Sequence, residues 1–333
     1  MKSMKALAAL ALALAMALAL VACGGGASSS SSSSASGVSS SASAPSASSS
    51  SAVSENATGQ APSEAYVFTK IDMKYRDGST MAKSFTFDDR GRQQTLSLDM
   101  VSSAATYDVD ATFTDWDEYG HPMKAVETGD YGDGRPFTTT TEVVARELNA
   151  DGSIASFTEV NTLDKASFEE GEFASSKVTS ALEYGGDVQV CRRQETKTEY
   201  FDKSGALLVT QTQTNEFDEG GLQTHCALKT VNADGTQLNE TADITWTKDA
   251  DGKPVSYTIV LSQDGADAAT TTTTGDVKTD ESGLISWIGN VKANGEALAT
   301  EVTIEHVKIS DPLPNAYEGW KSFALSDVLL QRA

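Results

Sequence analysis

The stretch Phe201–His225 reads FDKSGALLVTQTQTNEFDEGGLQTH and nearly repeats itself after sixteen residues. Phe-Asp-Lys-Ser-Gly opens it, Phe-Asp-Glu-Gly-Gly follows at 217–221, and the residues between them alternate in character. An Asp that begins a turn can accept a hydrogen bond from the backbone two residues on, and a Gly supplies the positive φ that closes the turn. The stretch therefore predicts two tight turns joined by one β-strand.

The same turn signal recurs along most of the chain. An aromatic residue precedes it at Phe87–Gly91 and Trp116–Gly120 as well. Turn signals without the aromatic end at Gly78, Gly152, Gly235, Gly252, Gly283 and Gly295. From Gly205 to Gly295 the turn glycines follow one another every 12 to 18 residues, which is room for one strand and one turn. Strands joined by tight turns are antiparallel neighbours, so the spacing predicts a meander.

Alternating polarity between the turns indicates a sheet with one buried face. We expect buried sets on several strands: Tyr107, Val109, Ala111 and Phe113; Leu96, Leu98 and Met100; Ile244 and Trp246; and Val255, Tyr257, Ile259 and Leu261. The runs Thr138–Thr141 and Thr270–Thr274 are typical of exposed sheet faces. A dozen or more strands cannot stay flat. We therefore predict an all-β domain at 64–333, a long antiparallel meander curled into an open barrel or a folded-over sheet. The apolar residues from Trp320 to Leu329 suit a short C-terminal helix or capping strand.

The four turns with an aromatic, at 87–91, 116–120, 201–205 and 217–221, resemble the YD or Rhs-type repeat. In that family an aromatic-Asp-x-x-Gly unit recurs along an extended β-meander. Phe or Trp stands here where the family usually has Tyr, and the spacing is irregular. The resemblance implies the meander. It does not imply the toxin-enclosing shell, which needs many more repeats.

The N-terminus predicts export. Lys2 and Lys5 precede an apolar run, Ala6–Ala22, that is short and Ala-rich for a membrane span. The run ends in Leu20–Cys23, which resembles the lipobox of bacterial lipoproteins. The resemblance implies a signal peptide at 1–22 and a diacylglyceryl group on the thiol of Cys23. The alternative is an ordinary small residue beside a conventional cleavage site. Two acyl chains suffice for stable anchoring without a membrane span.

Residues 23–63 predict a tether between the anchor and the domain. Positions 24–63 contain nineteen serines, no Lys or Arg and no aromatic residue. Such a segment cannot bury enough apolar surface to offset the entropy of ordering it. Together with Cys23 this places the domain at the outer face of the cell membrane.

The charge balance of residues 64–333 excludes some partners. Removing the two lysines of the signal and the one acid of the tether leaves 23 basic against 46 acidic residues. Nucleic acid and anionic lipid headgroups would be repelled by this charge. Of the three cysteines, Cys191 and Cys226 lie in the domain. We expect both thiols to be free, because the strand at 206–217 should separate their strands. Two four-residue loops would place Cys191 opposite Glu216, Cys226 opposite Gln213, and the sulfurs on opposite faces.

Signatures of catalysis and of metal or cofactor binding are missing from the sequence. It has no G-x-S-x-G, P-loop, H-E-x-x-H or C-x-x-C motif. Its three histidines, His121, His225 and His306, fall on separate predicted hairpins, where surface positions are expected. The sequence therefore predicts neither an enzyme nor a cofactor nor a metal.

Carboxylates are the one abundant reactive type, and two well-placed ones would suffice for a glycosidase. Alternation places Asp108 and Asp110 on a solvated face. Clusters occur at Asp108, Asp110, Asp115, Asp117 and Glu118, and at Glu169, Glu170 and Glu172. The segments Asn149–Gly152 and Asp249–Gly252 match half of a calcium loop, and hairpin turns explain them better.

Two functions remain open. In the first, the protein is a membrane-anchored, non-enzymatic binding lipoprotein whose concave sheet, near Trp246 and Tyr257, takes a lipid, glycan or peptide. In the second, it is a structural or interaction protein that docks a protein partner or a cell-wall polymer on a Thr-rich sheet. An apolar cavity inside the domain would favour binding, and a filled core with flat Thr ladders would favour docking.

Overall fold

The described part of the chain is the predicted β-domain. The computed structural model describes residues 65–75, 77–102, 106–130, 136–150, 153–165, 167–168, 171–185, 190–264 and 269–310. The predicted signal peptide, Cys23, the predicted tether and the predicted C-terminal helix or capping strand lie outside these residues.

The described residues form an antiparallel meander of seventeen strands, in agreement with the turn spacing. The strands are β1 (Ala65–Lys74), β2 (Thr80–Phe87), β3 (Gln93–Val101), β4 (Thr106–Trp116), β5 (Pro122–Asp130), β6 (Pro136–Leu148), β7 (Ile154–Lys165), β8 (Phe173–Gly185), β9 (Val190–Asp202), β10 (Leu207–Phe217), β11 (Gln223–Asn232), β12 (Gln237–Lys248), β13 (Pro254–Gln263), β14 (Ala269–Thr279), β15 (Ile285–Ala293), β16 (Glu296–Ala297) and β17 (Glu301–Ile309).

The sheet closes on itself into a barrel of sixteen strands. Each strand pairs with its neighbour in sequence, and β1 closes the ring by pairing with both β2 and β17. On β1, Ile71 lies opposite Lys83 of β2 and Ile304 of β17. The two-residue strand β16 pairs with β15 and stands outside the ring, which β15 continues by pairing with β17. The predicted meander is confirmed, and closure removes the sheet edges that an open barrel would leave.

The Asp-x-x-Gly turns work as the sequence predicts. In the turn after β9, Oδ1 of Asp202 accepts hydrogen bonds from the backbone N–H groups of Ser204 and Ala206, at 2.8 and 2.9 Å. Gly205 has φ of +83° and donates its N–H to the Asp202 carbonyl. Asp202 in turn donates its N–H to the carbonyl of Ala206. The loop therefore has three residues, a type I turn closed by a left-handed glycine, and not the four that we expected.

Two features shift the strand register around the cysteines: each loop is one residue shorter than expected, and each strand pair has a register shift beside its loop, at Leu207/Val209 and at Glu216/Phe217. Glu216 lies opposite Arg193 instead of Cys191, and Cys226 lies opposite Asn215 instead of Gln213. Both cysteines are buried and both belong to inward-facing clusters, so the expected opposite orientation of their sulfurs is wrong. Strand β10 does separate β9 from β11, and no disulfide joins Cys191 to Cys226, in agreement with the prediction.

The barrel interior is mostly filled. One apolar cluster collects inward side chains from β1–β7, β11–β15 and β17, including Leu96, Phe113, Ile259 and Ile288, which are at most 2 % exposed. Val255 was expected in this core but is 39 % exposed, because a register shift between β12 and β13 displaces it from the alternation.

The interior also contains a polar sector, on β5 to β11. Thr139 and Thr141 of β6, which we expected on the outside, are buried. The Thr141 hydroxyl donates to Oδ1 of Asn161, whose amide nitrogen donates to Ser176. Hydrogen bonding of this kind offsets much of the cost of burying polar groups.

The outer face is polar. On β4 the outward residues Thr106, Asp108, Asp110 and Thr112 are exposed, as the alternation predicts. Ion pairs such as that between Lys197 and Glu199 lie on the exposed side of the barrel wall.

Candidate functional site

The turn between β4 and β5 holds the side chain of Arg146 in place at the barrel interior. Oδ1 of Asp117 accepts the N–H groups of Tyr119 and His121, as in the other turns. Its second oxygen, Oδ2, accepts a hydrogen bond from Nη1 of Arg146 at 2.9 Å. Nη2 of Arg146 donates to the carbonyl of Pro122 at 3.0 Å. A turn residue therefore also holds the guanidinium of a strand two places further along the sheet.

Next to this arginine the inner wall is hollow. We call this hollow the β4–β7 concavity; its interior volume is about 40 Å³, and the space rises to about 500 Å³ only when the solvent at its open mouth is counted. It is lined by Phe113, His121, Pro122, Met123, Lys124, Ala125, Thr141, Val143, Arg146, Ile154, Phe157 and Glu159. Most of these side chains are apolar, and a few charged or hydrogen-bonding groups stand among them. That mixture is typical of sites for small ligands.

A carboxyl group stands in the wall of the concavity. Removal from water raises the pKa of Glu159 to about 7, although a hydrogen bond involving Asn161 and the charge of Arg146 act in the opposite direction. Near neutral pH this carboxyl therefore exchanges between its protonated and ionised forms. A group of this kind can bind a cation or donate a hydrogen bond, according to its protonation state.

A second carboxyl group lies deeper in the barrel, two inward rows from Glu159. Glu127 follows Ala125 by two positions on the inward face of β5, and its residue exposure is 0 %. Burial, together with repulsion from Glu159, raises the pKa of Glu127 to about 7. Neither carboxylate oxygen of Glu127 has a hydrogen-bond partner, and neither does the hydroxyl of Thr139, which lies directly opposite on β6. Buried polar groups without partners are rare in proteins.

The predicted concave site at Trp246 and Tyr257 is wrong, because these side chains fill the core. Their rings lie 5.9 Å apart, and Nε1 of Trp246 donates to the carbonyl of Gln223 at 2.7 Å. Tyr257 is 2 % exposed and packs over Gly275, where a Cβ atom would be only 2.4 Å from the tyrosine hydroxyl. No space remains there for a ligand.

The histidines lie on separate elements, as predicted, but two of the three are not at the surface. His121 is buried in the wall of the concavity. The His306 side chain is 4 % exposed, stacks against Phe68 and lies 3.1 Å from Asp280. Burial lowers the pKa of His306, and Asp280 partly opposes this shift. His225 is partly exposed, with Nδ1 2.7 Å from Asp243.

The predicted carboxylate clusters do not form a site in the described residues. Asp108, Asp110 and Asp115 are exposed, and Asp117 serves its turn and Arg146. Glu172 forms an ion pair with Lys165, whereas Glu169 and Glu170 lie outside the described residues.

Of the two segments that match half of a calcium loop, Asn149–Gly152 and Asp249–Gly252, the second is fully described by the structure. Asp249 accepts the N–H groups of Asp251 and Lys253 in a hairpin turn, as expected; Asp151 lies outside the described residues. Within the described ranges, no three His, Cys, Asp or Glu side chains are grouped so that they could hold a metal ion.

Sequence reasoning missed the three charged residues that matter most here, Glu127, Glu159 and Arg146. A signal was present for the two acids. Each continues the inward alternation of its strand, after Ala125 in one case and after Phe157 in the other. An acid at an inward position is uncommon enough to mark a site. Nothing local indicates that Arg146 turns back to Asp117, which is 29 residues away.

The chain shows only a weak similarity to known proteins. No family model matches the chain, and no curated protein does either. Among solved structures, a porin-like protein from Bacteroides uniformis ATCC 8492 matches with a TM-score of 0.35 and 13 % identity. The match covers 72 % of this chain and 98 % of that one. A likeness this weak carries no inference about function. No helix among the described residues is long and apolar enough to cross a bilayer.

Proposed function

We propose that the protein is a membrane-anchored binding lipoprotein whose barrel holds a small ligand in the β4–β7 concavity. The observation that carries this proposal is the concavity itself. It is an open hollow with an interior volume of about 40 Å³, lined mostly by apolar side chains, with Arg146 and Glu159 in its wall. A packed barrel gains nothing in stability from such a hollow, because unfilled space forfeits packing contacts.

The chemistry of the lining indicates the kind of ligand. Phe113, Val143, Ile154 and Phe157 offer apolar contact, while Arg146 and Glu159 can orient a polar group. We infer a ligand with an apolar body and at least one polar group, which agrees with a lipid fragment or an apolar peptide side chain better than with a glycan.

The proposed location follows from the N-terminus. Lipidation of Cys23 would hold the chain at the outer face of the cell membrane, and the serine-rich tether would give it reach of roughly 35 Å. The polar outer wall of the barrel supports a position in water above the membrane.

Docking of a partner on the outer wall is the second candidate. The filled core around Tyr257 and hydroxyl pairs such as Thr86 and Thr95, 2.6 Å apart on the exposed side, support it. This role would leave the concavity without a use, and we rank it second for that reason.

The test is to block the concavity. Val143→Trp places an indole in the lining, whereas Val144→Trp adds the same bulk one residue later at a position that is 58 % exposed. We expect 2-phenylethanol, a small water-soluble probe with an apolar ring, to bind the full chain and the Val144→Trp variant alike. Ligand-observed NMR titration should show binding reduced about tenfold or more by Val143→Trp. Equal binding by both variants, or none to the unchanged protein, would reject the proposal.

A further inference from the structure

The deep end of the β4–β7 concavity has an unmet requirement for positive charge. Two carboxyl groups, Glu127 and Glu159, lie near enough to repel each other. Arg146 faces them; both of its Nη atoms are engaged, with Asp117, Met123 and Pro122, and its buried Nε has no hydrogen-bond partner. Lys124 also lines the concavity, but its Nζ pairs with Glu142. One guanidinium thus stands against three carboxyl groups. Burying ionised carboxylates without compensation is costly, so the empty site is stable only while protons remain on Glu127 and Glu159.

Hydrogen bonding gives a second and separate reason to expect a cationic ligand here. Both oxygens of Glu127 and the hydroxyl of Thr139 are fully buried and make no hydrogen bond. They lie opposite each other on β5 and β6, one row below Ala125 and Thr141, which line the concavity. A donor that entered from the concavity would find these acceptors in addition to Glu159.

We propose that the ligand of the concavity carries a primary ammonium group, held by the carboxylate of Glu127 and the hydroxyl of Thr139, which lie opposite each other, and attracted by the charge of Glu159. This inference rests on the proposed binding function and names the chemical class of the ligand. An ammonium has three N–H donors and no acceptor, which matches a set of acceptors without partners. Its apolar body would lie against Val143, Ile154 and Phe157.

An inorganic cation suits the site less well. Calcium takes six to eight oxygen ligands, usually from several carboxylates and carbonyls. Only two carboxyl groups meet here, and the described residues contain no larger group of metal-ligating side chains. An organic cation also uses the apolar part of the concavity, which a metal ion would leave empty.

Three probes of one shape test the inference on the purified full chain: 2-phenylethylammonium, 2-phenylethanol and phenylacetate. We expect the ammonium to bind at least about tenfold more tightly than the alcohol, and the carboxylate to bind most weakly, because hydrogen bonds between charged groups are the strong ones. Glu127→Gln and Glu159→Gln should each remove most of that preference. Glu216→Gln, at an exposed position on the barrel wall, is the matched control and should change nothing.

The outcomes separate this inference from the function on which it rests. Binding of the alcohol that is sensitive to Val143→Trp, without preference for the ammonium, would overturn the inference and leave the proposed function standing. Tighter binding of calcium than of the ammonium, lost in Glu127→Gln, would overturn it in favour of a metal site. Failure of all three probes to bind would overturn both. Circular dichroism of each Gln variant guards against loss of folding, and the two variants give independent readings.

Discussion

The substitution Glu127→Gln should stabilise the barrel at alkaline pH and leave it nearly unchanged in mild acid. Burial and Glu159 raise the pKa of Glu127 from 4.5 to about 7. The folded state therefore binds more protons than the unfolded state between these values, and the free energy of unfolding falls as pH rises through this window. Above pH 7 the ionised carboxylate costs roughly 3 kcal/mol relative to a neutral group. Gln cannot ionise, has nearly the same shape and avoids this cost.

Urea unfolding of the full chain at a series of pH values measures the effect. We expect the free energy of unfolding of Glu127→Gln to match that of the unchanged protein near pH 4.5 and to exceed it by about 2–3 kcal/mol at pH 8.5. Exposed Glu216→Gln should differ by no more than about 0.5 kcal/mol at either pH. A Glu127→Gln variant that is less stable at every pH would refute the reasoning, because Glu127 would then be a hydrogen-bonded anion in the folded protein.

Three further predictions follow from the anchor, the core and the cysteines. Cys23→Ala should release the protein from membranes in a fractionation assay, because the tether offers no other attachment; a variant that stays membrane-bound and unprocessed at normal yield would count against lipidation. Gly275→Ala should cost about 1–3 kcal/mol and lower the melting temperature, since its Cβ would lie 2.4 Å from the Tyr257 hydroxyl; an unchanged melting temperature would mean that this packing is misread. Cys191 and Cys226 should both react with a maleimide without reductant, but only after denaturation, because both are buried and neither is in a disulfide; an intramolecular bridge would contradict the strand order.

The strand order could be predicted because its determinants are local. An Asp and a Gly three residues apart close each hairpin through bonds within the turn itself, as at Asp202 and Gly205. Because every strand pairs with its neighbour in sequence, correct turns give a correct meander. Closure of the ring could not be predicted, since it joins β1 to β17 across more than 200 residues.

Register and orientation were the parts that failed. A loop shorter by one residue and a register shift between Glu216 and Phe217 together moved the partner of Cys226 from Gln213 to Asn215, and a single register shift exposed Val255. Such shifts arise from bulges, which have no strong sequence signal beyond the glycine.

The candidate site escaped prediction for a different reason. Four consecutive threonines show no alternation of polar and apolar residues. The sequence therefore did not show that Thr139 and Thr141 face the barrel interior. Glu127 and Glu159 looked like ordinary surface acids in a chain with 47 Asp and Glu residues. Their importance depends on the strands β5 to β7 being brought round a common interior, which only the folded barrel provides.

The most direct test of the account is where a ligand binds. Of the chain's seven methionines, Met123 lines the β4–β7 concavity, whereas Met73 and Met81 lie in the packed core. With methionine methyl groups labelled with ¹³C, titration of the full chain with 2-phenylethylammonium should shift the Met123 signal saturably and leave Met73 and Met81 in place. Shifts at the core methionines with none at Met123, or no saturable shift at all, would contradict a ligand site in this concavity.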